Sequence, residues 1–242
     1  MNNTLIALLL SLLPGIIWLL YFLRKDVLPE PKRKVFKVFL MGALISAPVL
    51  LFEMWLLGDL EEIEMDYKIF LVIKFIFVIG LIEEMFKYIA VRFSALKTSL
   101  IDEPIDIILY MIISALGFAT VENVFLFCSK STLLLADPAI LTFSRFFGAT
   151  LLHVLCSGII GYFLALSFYH LKQRHILLIA GFSIAIIVHA VFNFFVESSI
   201  IEETTNEWGS SMIYSFSMVL ILFIVFSFGL RTIKKLKSVC KL

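Results

Sequence analysis

A chain of 242 residues that is 61% hydrophobic and 16% charged, with a net charge of +1, stands far from soluble domains, where roughly 25% of residues are charged. Neither a water-soluble core nor a nucleic-acid-binding surface fits a mean hydropathy of +1.04 with so small a net charge. At about 20 residues per span, the length holds roughly six to eight membrane helices and leaves no room for a separate soluble domain.

Apolar runs of spanning length occur at 3–23, 35–57, 69–91, 105–128, 143–168, 176–197 and 211–230. They predict an all-α polytopic membrane helix bundle of about seven transmembrane helices, a single transmembrane domain over 1–242. The first run has no basic segment before it and is longer than a signal-peptide core, so it is expected to persist as a helix, kinked at Pro14-Gly15. The first connection carries Arg24, Lys25, Lys32, Arg33 and Lys34, the third Arg92 and Lys97, and the fifth Lys172 and Arg174. The tail after the seventh run adds Arg231, Lys234, Lys235, Lys237 and Lys241. Acidic residues fill the second connection, with Asp59, Glu61, Glu62, Glu64 and Asp66, and the sixth, with Glu202, Glu203 and Glu207. The fourth holds one base, Lys130. The alternation places the N-terminus outside and the C-terminus in the cytoplasm, with the basic loops against lipid headgroups. Cys128, Cys156 and Cys240 have no metal-ligand or redox spacing and build no disulfide framework.

Charged side chains inside a membrane cost free energy and are therefore expected to face the bundle interior, where they pair or line a site. In the third run Lys87 follows Glu83 by four residues and Glu84 by three, so one carboxylate is expected to be neutralised and the other left able to act as a base toward water. The fourth run opens on Asp102-Glu103-Pro104-Ile105-Asp106, a helix-start pattern, and carries Glu122 and Asn123 deeper in. The fifth run sets Arg145, His153, Ser157 and Gly161 along one stripe, and the sixth sets His189 and Asn193 four apart. Each feature alone has an ordinary packing or capping explanation. Three helices supplying Glu, His and Asn together make a hydrolytic set. A Ser157 or Cys156 nucleophile ranks lower, because Ser157 lies on the same helix as His153 with no orienting acid or oxyanion hole in view.

At Glu83-Glu84-x-x-Lys87, Asp102-Glu103-Pro104-Ile105-Asp106, Gly117-Phe118-Ala119-x-x-Glu122-Asn123, His153-x-x-x-Ser157-Gly158 and His189-Ala190-x-x-Asn193, the sequence resembles the PrsW family of intramembrane proteases. That family is related to the CAAX-prenyl endopeptidases and to the polytopic scaffold subunit of gamma-secretase. The early Asp26-Val27-Leu28-Pro29-Glu30-Pro31 loop also resembles its first cytoplasmic connection. The resemblance implies a bacterial cytoplasmic-membrane endopeptidase that cleaves a single-pass membrane protein, an anti-sigma factor in the family's known role.

Two chemistries fit these residues. In one, no cofactor is needed: Glu83 or Glu84 activates water with a His, and Asn193 with a His donates to the oxyanion. In the other, a zinc ion is held by ligands such as Glu122, His153 and His189. Lys87, Asn123, Glu103 and Ser157 would support either. At 1.5 Å per residue, His153, His189 and Glu122 lie in the outer part of the bilayer and Glu83 deeper, unless the third helix begins near Lys74. The cavity is expected to open outward. A catalytically silent scaffold or chaperone, and a proton-coupled transporter, are the alternatives; the sequence shows no repeat symmetry for the latter.

Overall fold

The alternation of long apolar runs with short polar connections produces helices throughout, and no strand occurs among the described residues. The computed structural model describes residues 3–24, 28–96, 101, 103–128 and 138–204, with Ser217, Leu220, Phe223, Ile224 and Ser227 as single helical positions. Apart from those five, the seventh predicted run lies outside the described residues, as do Asp26, Val27, Lys97, Asp102, Lys130 and the basic tail with Cys240.

Helix α1 spans Asn3–Leu23 and α2 Lys32–Glu61. A composite rod, α3, starts where the Asp66 side chain accepts the Lys68 N–H at 2.9 Å. It runs as α-helix over Tyr67–Val72, π-helix over Ile73–Leu81, α-helix over Ile82–Val91 and π-helix over Arg92–Leu96. Then come α4, Pro104–Cys128, α5, Pro138–Phe147, and α6, Ala149–Tyr169. A 3₁₀ turn at Leu171–Gln173 leads into α7, Arg174–Thr204.

Four stretches among the described residues are long and apolar enough to cross a membrane: Lys32–Glu61, Pro104–Cys128, Ala139–Tyr169 and Leu171–Ser198. Leu8–Leu23 forms a shorter apolar helix. The third predicted span is helical, though divided by its π segments. The fifth is bent at Gly148, where φ is −97° and ψ −105°. A Cβ there would lie 2.5 Å from the Ser144 carbonyl oxygen, so a larger residue would have to open the bend.

Helix α4 is the axis of the bundle, buried from Ile105 to Thr120 on every face, with α1, α2, α3 and α6 packed around it. Its contact with α2 is made by small residues. Gly42 of α2 sits where a Cβ would be 2.1 Å from the Ser114 oxygen, and Gly117 of α4 where one would be 2.1 Å from the Phe39 oxygen. Backbones meet directly there, as small-residue crossings allow. The two helices run parallel, since Glu30 and Lys34 at the start of α2 reach Tyr110 near the start of α4. The buried stripe of α2 reads Val35, Val38, Gly42, Ser46, Val49, Glu53, steps of three and four residues that keep one face inward. Leu44, Leu51, Met54 and Trp55 cover the opposite face, and Ile176, Ile179 and Ile187 do the same for α7. Apolar residues turned outward in such numbers suit a lipid surroundings.

Candidate active site

The stretch Ile82–Val91 of α3 places Glu83, Glu84 and Lys87 on the face turned to α6 and α7, and all three are buried. The ammonium of Lys87 has three hydrogens, and each finds an acceptor. Nζ donates to Glu83 Oε2 at 2.9 Å, to Glu84 Oε1 at 2.9 Å, and to His153 Nδ1 of α6 at 2.8 Å. The ring of Phe118 of α4 closes off the remaining side, 4.6 Å from Nζ. The expectation that Lys87 neutralises one carboxylate and leaves the other without a partner is therefore corrected. Positions i−4 and i−3 project onto the same face, and a trivalent donor serves both.

The imidazoles are oriented by their second nitrogens. His153 Nε2 donates to Glu122 Oε2 of α4 at 2.7 Å, which leaves Nδ1 as the acceptor that faces Lys87 and, at 3.5 Å, Glu83 Oε2. His189 Nδ1 of α7 donates to Glu84 Oε1 at 2.9 Å, which turns the Nε2 lone pair toward Glu83 Oε2, 3.9 Å away. These tautomers follow from the partners present. Both unprotonated nitrogens thus converge on the Glu83 carboxylate. The rings meet edge to face at 5.2 Å.

Glu84 accepts three hydrogen bonds: Oε1 accepts from Lys87 and His189, and Oε2 accepts the Ser157 hydroxyl at 3.2 Å. For Glu83, every contact among the described residues runs through Oε2. Ser157 donates to Glu84, which Lys87 and His189 already engage, and has no hydrogen bond to His153 among the described residues, so no Ser–His pair is assembled. On the opposite side Glu122 Oε1 lies 2.9 Å from an Arg145 guanidinium nitrogen of α5. Arg145 Nε donates to Asn123 Oδ1 at 2.5 Å, and Asn123 Nδ2 to Thr150 Oγ1 at 3.2 Å. The bend at Gly148 lets α5 lay Arg145 over this edge of the cluster.

Five of the six predicted catalytic residues, Glu83, Glu84, Glu122, His153 and His189, are thus joined through Lys87 in one network, buried except at half-buried Glu122. Asn193 is half-buried one turn along α7 from His189 and has no hydrogen bond among the described residues. Glu103 stands apart, its backbone N–H donated to Asp106 Oδ2 at 2.8 Å at the other end of α4, about 28 Å from Glu122 at 1.5 Å per residue. Two charged residues of the bundle interior escape the sequence reading. Arg145 is seen in sequence only as one residue of a stripe, and its pairing with Glu122 depends on the bend. Glu53 of α2 is 6% exposed, and the signal for it is an acid four residues after Val49 on an otherwise apolar face.

Glu83, His153 and His189 present ligand atoms within 4.8 Å of one another, and Glu84, Cys156 and His189 do the same. The first set, two imidazoles and a carboxylate, is the donor chemistry of a catalytic zinc site, which keeps a further position for water. It holds Glu83 in place of Glu122. The latter instead receives the hydrogen bond from the far nitrogen of His153, the usual second-layer support of a metal-bound imidazole. Glu83, Glu84 and Glu122 against Lys87 and Arg145 leave an excess of one negative formal charge, which favours a bound cation. The residues fit such an ion.

The family model described as "PrsW family intramembrane metalloprotease" matches residues 30–228. A protein named Protease PrsW from Geobacillus kaustophilus is 29% identical over 181 residues, covering 74% of this chain and 75% of that relative. Protease PrsW of Clostridioides difficile is 29% identical over 195 residues, with 77% of each chain covered, and that of Oceanobacillus iheyensis 26% identical over 181 residues. No solved structure gives a significant match. The family match spans most of the chain and includes all five helices that bear the cluster and Arg145, and the chain belongs to the PrsW family of intramembrane metalloproteases.

Proposed function

We propose that the chain is an endopeptidase of the bacterial cytoplasmic membrane that hydrolyses a peptide bond of a single-pass membrane protein near its extracytoplasmic end. The substrate class is the membrane-anchored anti-sigma factor suggested by the resemblance to the family. The observation that carries the proposal is the convergence of His153 Nδ1 and His189 Nε2 on the Glu83 carboxylate inside a transmembrane bundle. Water at that point meets a base and two oriented imidazoles. Glu83 accepts its proton, because Glu84 already accepts three hydrogen bonds while Glu83 Oε1 has none among the described residues. Glu84 and Glu122 hold the two imidazole tautomers, and Lys87 keeps the carboxylates together. Asn193, one turn from His189, supplies a donor for the oxyanion of the tetrahedral intermediate. Glu83, His153 and His189 would also hold a zinc ion, which supplies Lewis acidity and lowers the pKa of water to about 7.

The test is cleavage of a purified single-pass substrate in liposomes, with zinc measured in the same preparations. Glu83→Gln preserves size and removes the base, so cleavage should fall by about 10²- to 10⁴-fold while the protein still inserts. A Glu83→Gln variant that retains full activity would remove the basis of the reading.

A further inference from the structure

Around the Gly148 bend, polar side chains from three helices close a ring. His153 of α6 donates Nε2–H to Glu122 Oε2 of α4 at 2.7 Å, and a guanidinium nitrogen of Arg145 of α5 lies 2.9 Å from Glu122 Oε1. Arg145 Nε donates to buried Asn123 of α4 at 2.5 Å, and Asn123 Nδ2 donates to Thr150 Oγ1 at 3.2 Å. Thr150 stands three residues before His153 on α6, and there the ring closes.

Arg145 is the member that joins the two arms. One guanidinium meets the side chains of consecutive residues, Glu122 and Asn123, which a helix sends about 100° apart. A planar fork with fixed donor directions holds two such groups in one arrangement, whereas a flexible ammonium acts as a point charge. The nitrogen that meets Glu122 is sealed from water and makes an ion pair without hydrogen-bond alignment, so the direction of the guanidinium comes from Nε on Asn123. The helix that carries it is fixed from outside the site. Trp18 of α1 donates Nε1–H to the carbonyl oxygen of Phe146, the next residue, at 3.0 Å, and the two rings stack at 5.0 Å.

Neutralising Glu122 would need only a nearby charge, and the observed contact is more specific than that. It falls on Oε1 and leaves Oε2 as the oxygen turned to the imidazole. The Glu122 side chain is 24% exposed, so without Arg145 the carboxylate has room and solvent in which to turn. Its orientation matters because His153 Nδ1, at the other side of the same ring, faces Glu83 Oε2 at 3.5 Å.

We propose that Arg145 is a positioning residue for the hydrolytic site: it fixes the Glu122 carboxylate, which in turn holds the His153 ring with Nδ1 directed at Glu83. The inference rests on the protease reading. Arg145 touches no reacting atom and takes no proton; it acts through Glu122.

The experiment uses the full chain in liposomes with a single-pass substrate cleaved by the wild type, and zinc affinity is measured in the same preparations by competition with a chromophoric chelator. Arg145→Gln should lower kcat by about 10- to 100-fold and zinc affinity by a similar factor, the range for groups that support a metal-bound imidazole. KM should stay within about threefold, since no substrate contact is removed. Arg145→Lys keeps the charge without the fork and should recover part of both losses. Because Arg145→Gln strands the Glu122 charge, the unfolding midpoint is compared with that of the double variant Arg145→Gln/Glu122→Gln. The double variant should regain stability while its kcat and zinc affinity stay where Glu122→Gln alone puts them, because residues acting in series do not add. Wild-type kcat and zinc affinity in Arg145→Gln, recovery of both together with stability in the double variant, or losses that add to those of Glu122→Gln would overturn the assignment and leave the protease reading intact. Wild-type protein that cleaves no single-pass substrate would instead overturn both.

Discussion

Replacing Lys87 by Met removes the ammonium that holds Glu83 and Glu84 at 2.9 Å each and His153 at 2.8 Å, while a similar unbranched stem stays against Phe118. Lys87 is fully buried and Glu84 equally so, so no water replaces the lost contacts. Removing one partner of a buried ion pair costs about 3–5 kcal/mol, most of it from the charge left behind. The three contacts share a single ammonium, so their separate values of about 1.5–3 kcal/mol do not add. A loss of about 3–5 kcal/mol is therefore expected, read as a lower midpoint when the purified protein in micelles is unfolded by a denaturing detergent and followed by tryptophan fluorescence. The network predicts a second result. Adding Glu84→Gln to Lys87→Met removes one stranded charge and should restore about 0.5–3 kcal/mol, a coupling that independent residues lack. A Lys87→Met protein as stable as the wild type, or strictly additive losses in the double variant, would refute a neutralising role for Lys87.

Further outcomes follow from the same contacts. Glu122→Gln weakens the acceptor behind His153 Nε2 and should lower zinc affinity by about 10- to 100-fold, measured by competition with a chromophoric chelator; unchanged affinity would detach Glu122 from the site. Ser157→Ala should keep cleavage within about tenfold of wild type, since it loses one neutral donor to Glu84, and Cys156→Ala should also remain active; a loss confined to Ser157→Ala would move the chemistry to a nucleophilic serine. Reporter fusions after Arg33, Lys172 and Lys237 should report cytoplasm, and fusions after Glu62 and Glu203 the outside; the inverse pattern would turn the site toward the cytoplasm.

Helix content and most of the site are legible in the sequence because a membrane restricts both. Spans need long apolar runs, and an ionisable group within one needs a partner, so Glu83, Glu84, Lys87, Glu122, His153 and His189 stand out against their neighbours. What periodicity does not supply is which oxygen faces which nitrogen. Glu83 and Glu84 are adjacent and equivalent as letters. They differ in the structure because Glu84 points to Ser157 and the His189 Nδ1 side, while Glu83 meets the two unprotonated imidazole nitrogens. Glu53 is missed for a related reason. One acid near the end of an apolar run reads as the edge of the acidic connection that follows, until the stripe from Val35 to Val49 shows that it points inward.

Depth is where one-dimensional reading fails most instructively. A regular α-helix over the third run advances 1.5 Å per residue and carries Glu83 deeper than His153 and His189. In the structure Glu83 Oε2 is 3.5 Å from one and 3.9 Å from the other. The π segment Ile73–Leu81 immediately precedes it. Bonds from i to i+5 put more residues in each turn, so the chain advances less per residue and rotates the following residues relative to an α-helix. The rod is tied at this point to α7, with Lys74 2.6 Å from Glu197 and Gly80 where a Cβ would meet the Ile186 oxygen at 3.2 Å. The same helix that supplies His189 thus braces the segment that sets the height of Glu83. A sequence pattern counted at 3.6 residues per turn has no means to register this, because the side chains of the π segment, Lys74 aside, are as apolar as those of any other span. Its effect is visible only in which polar groups it brings level.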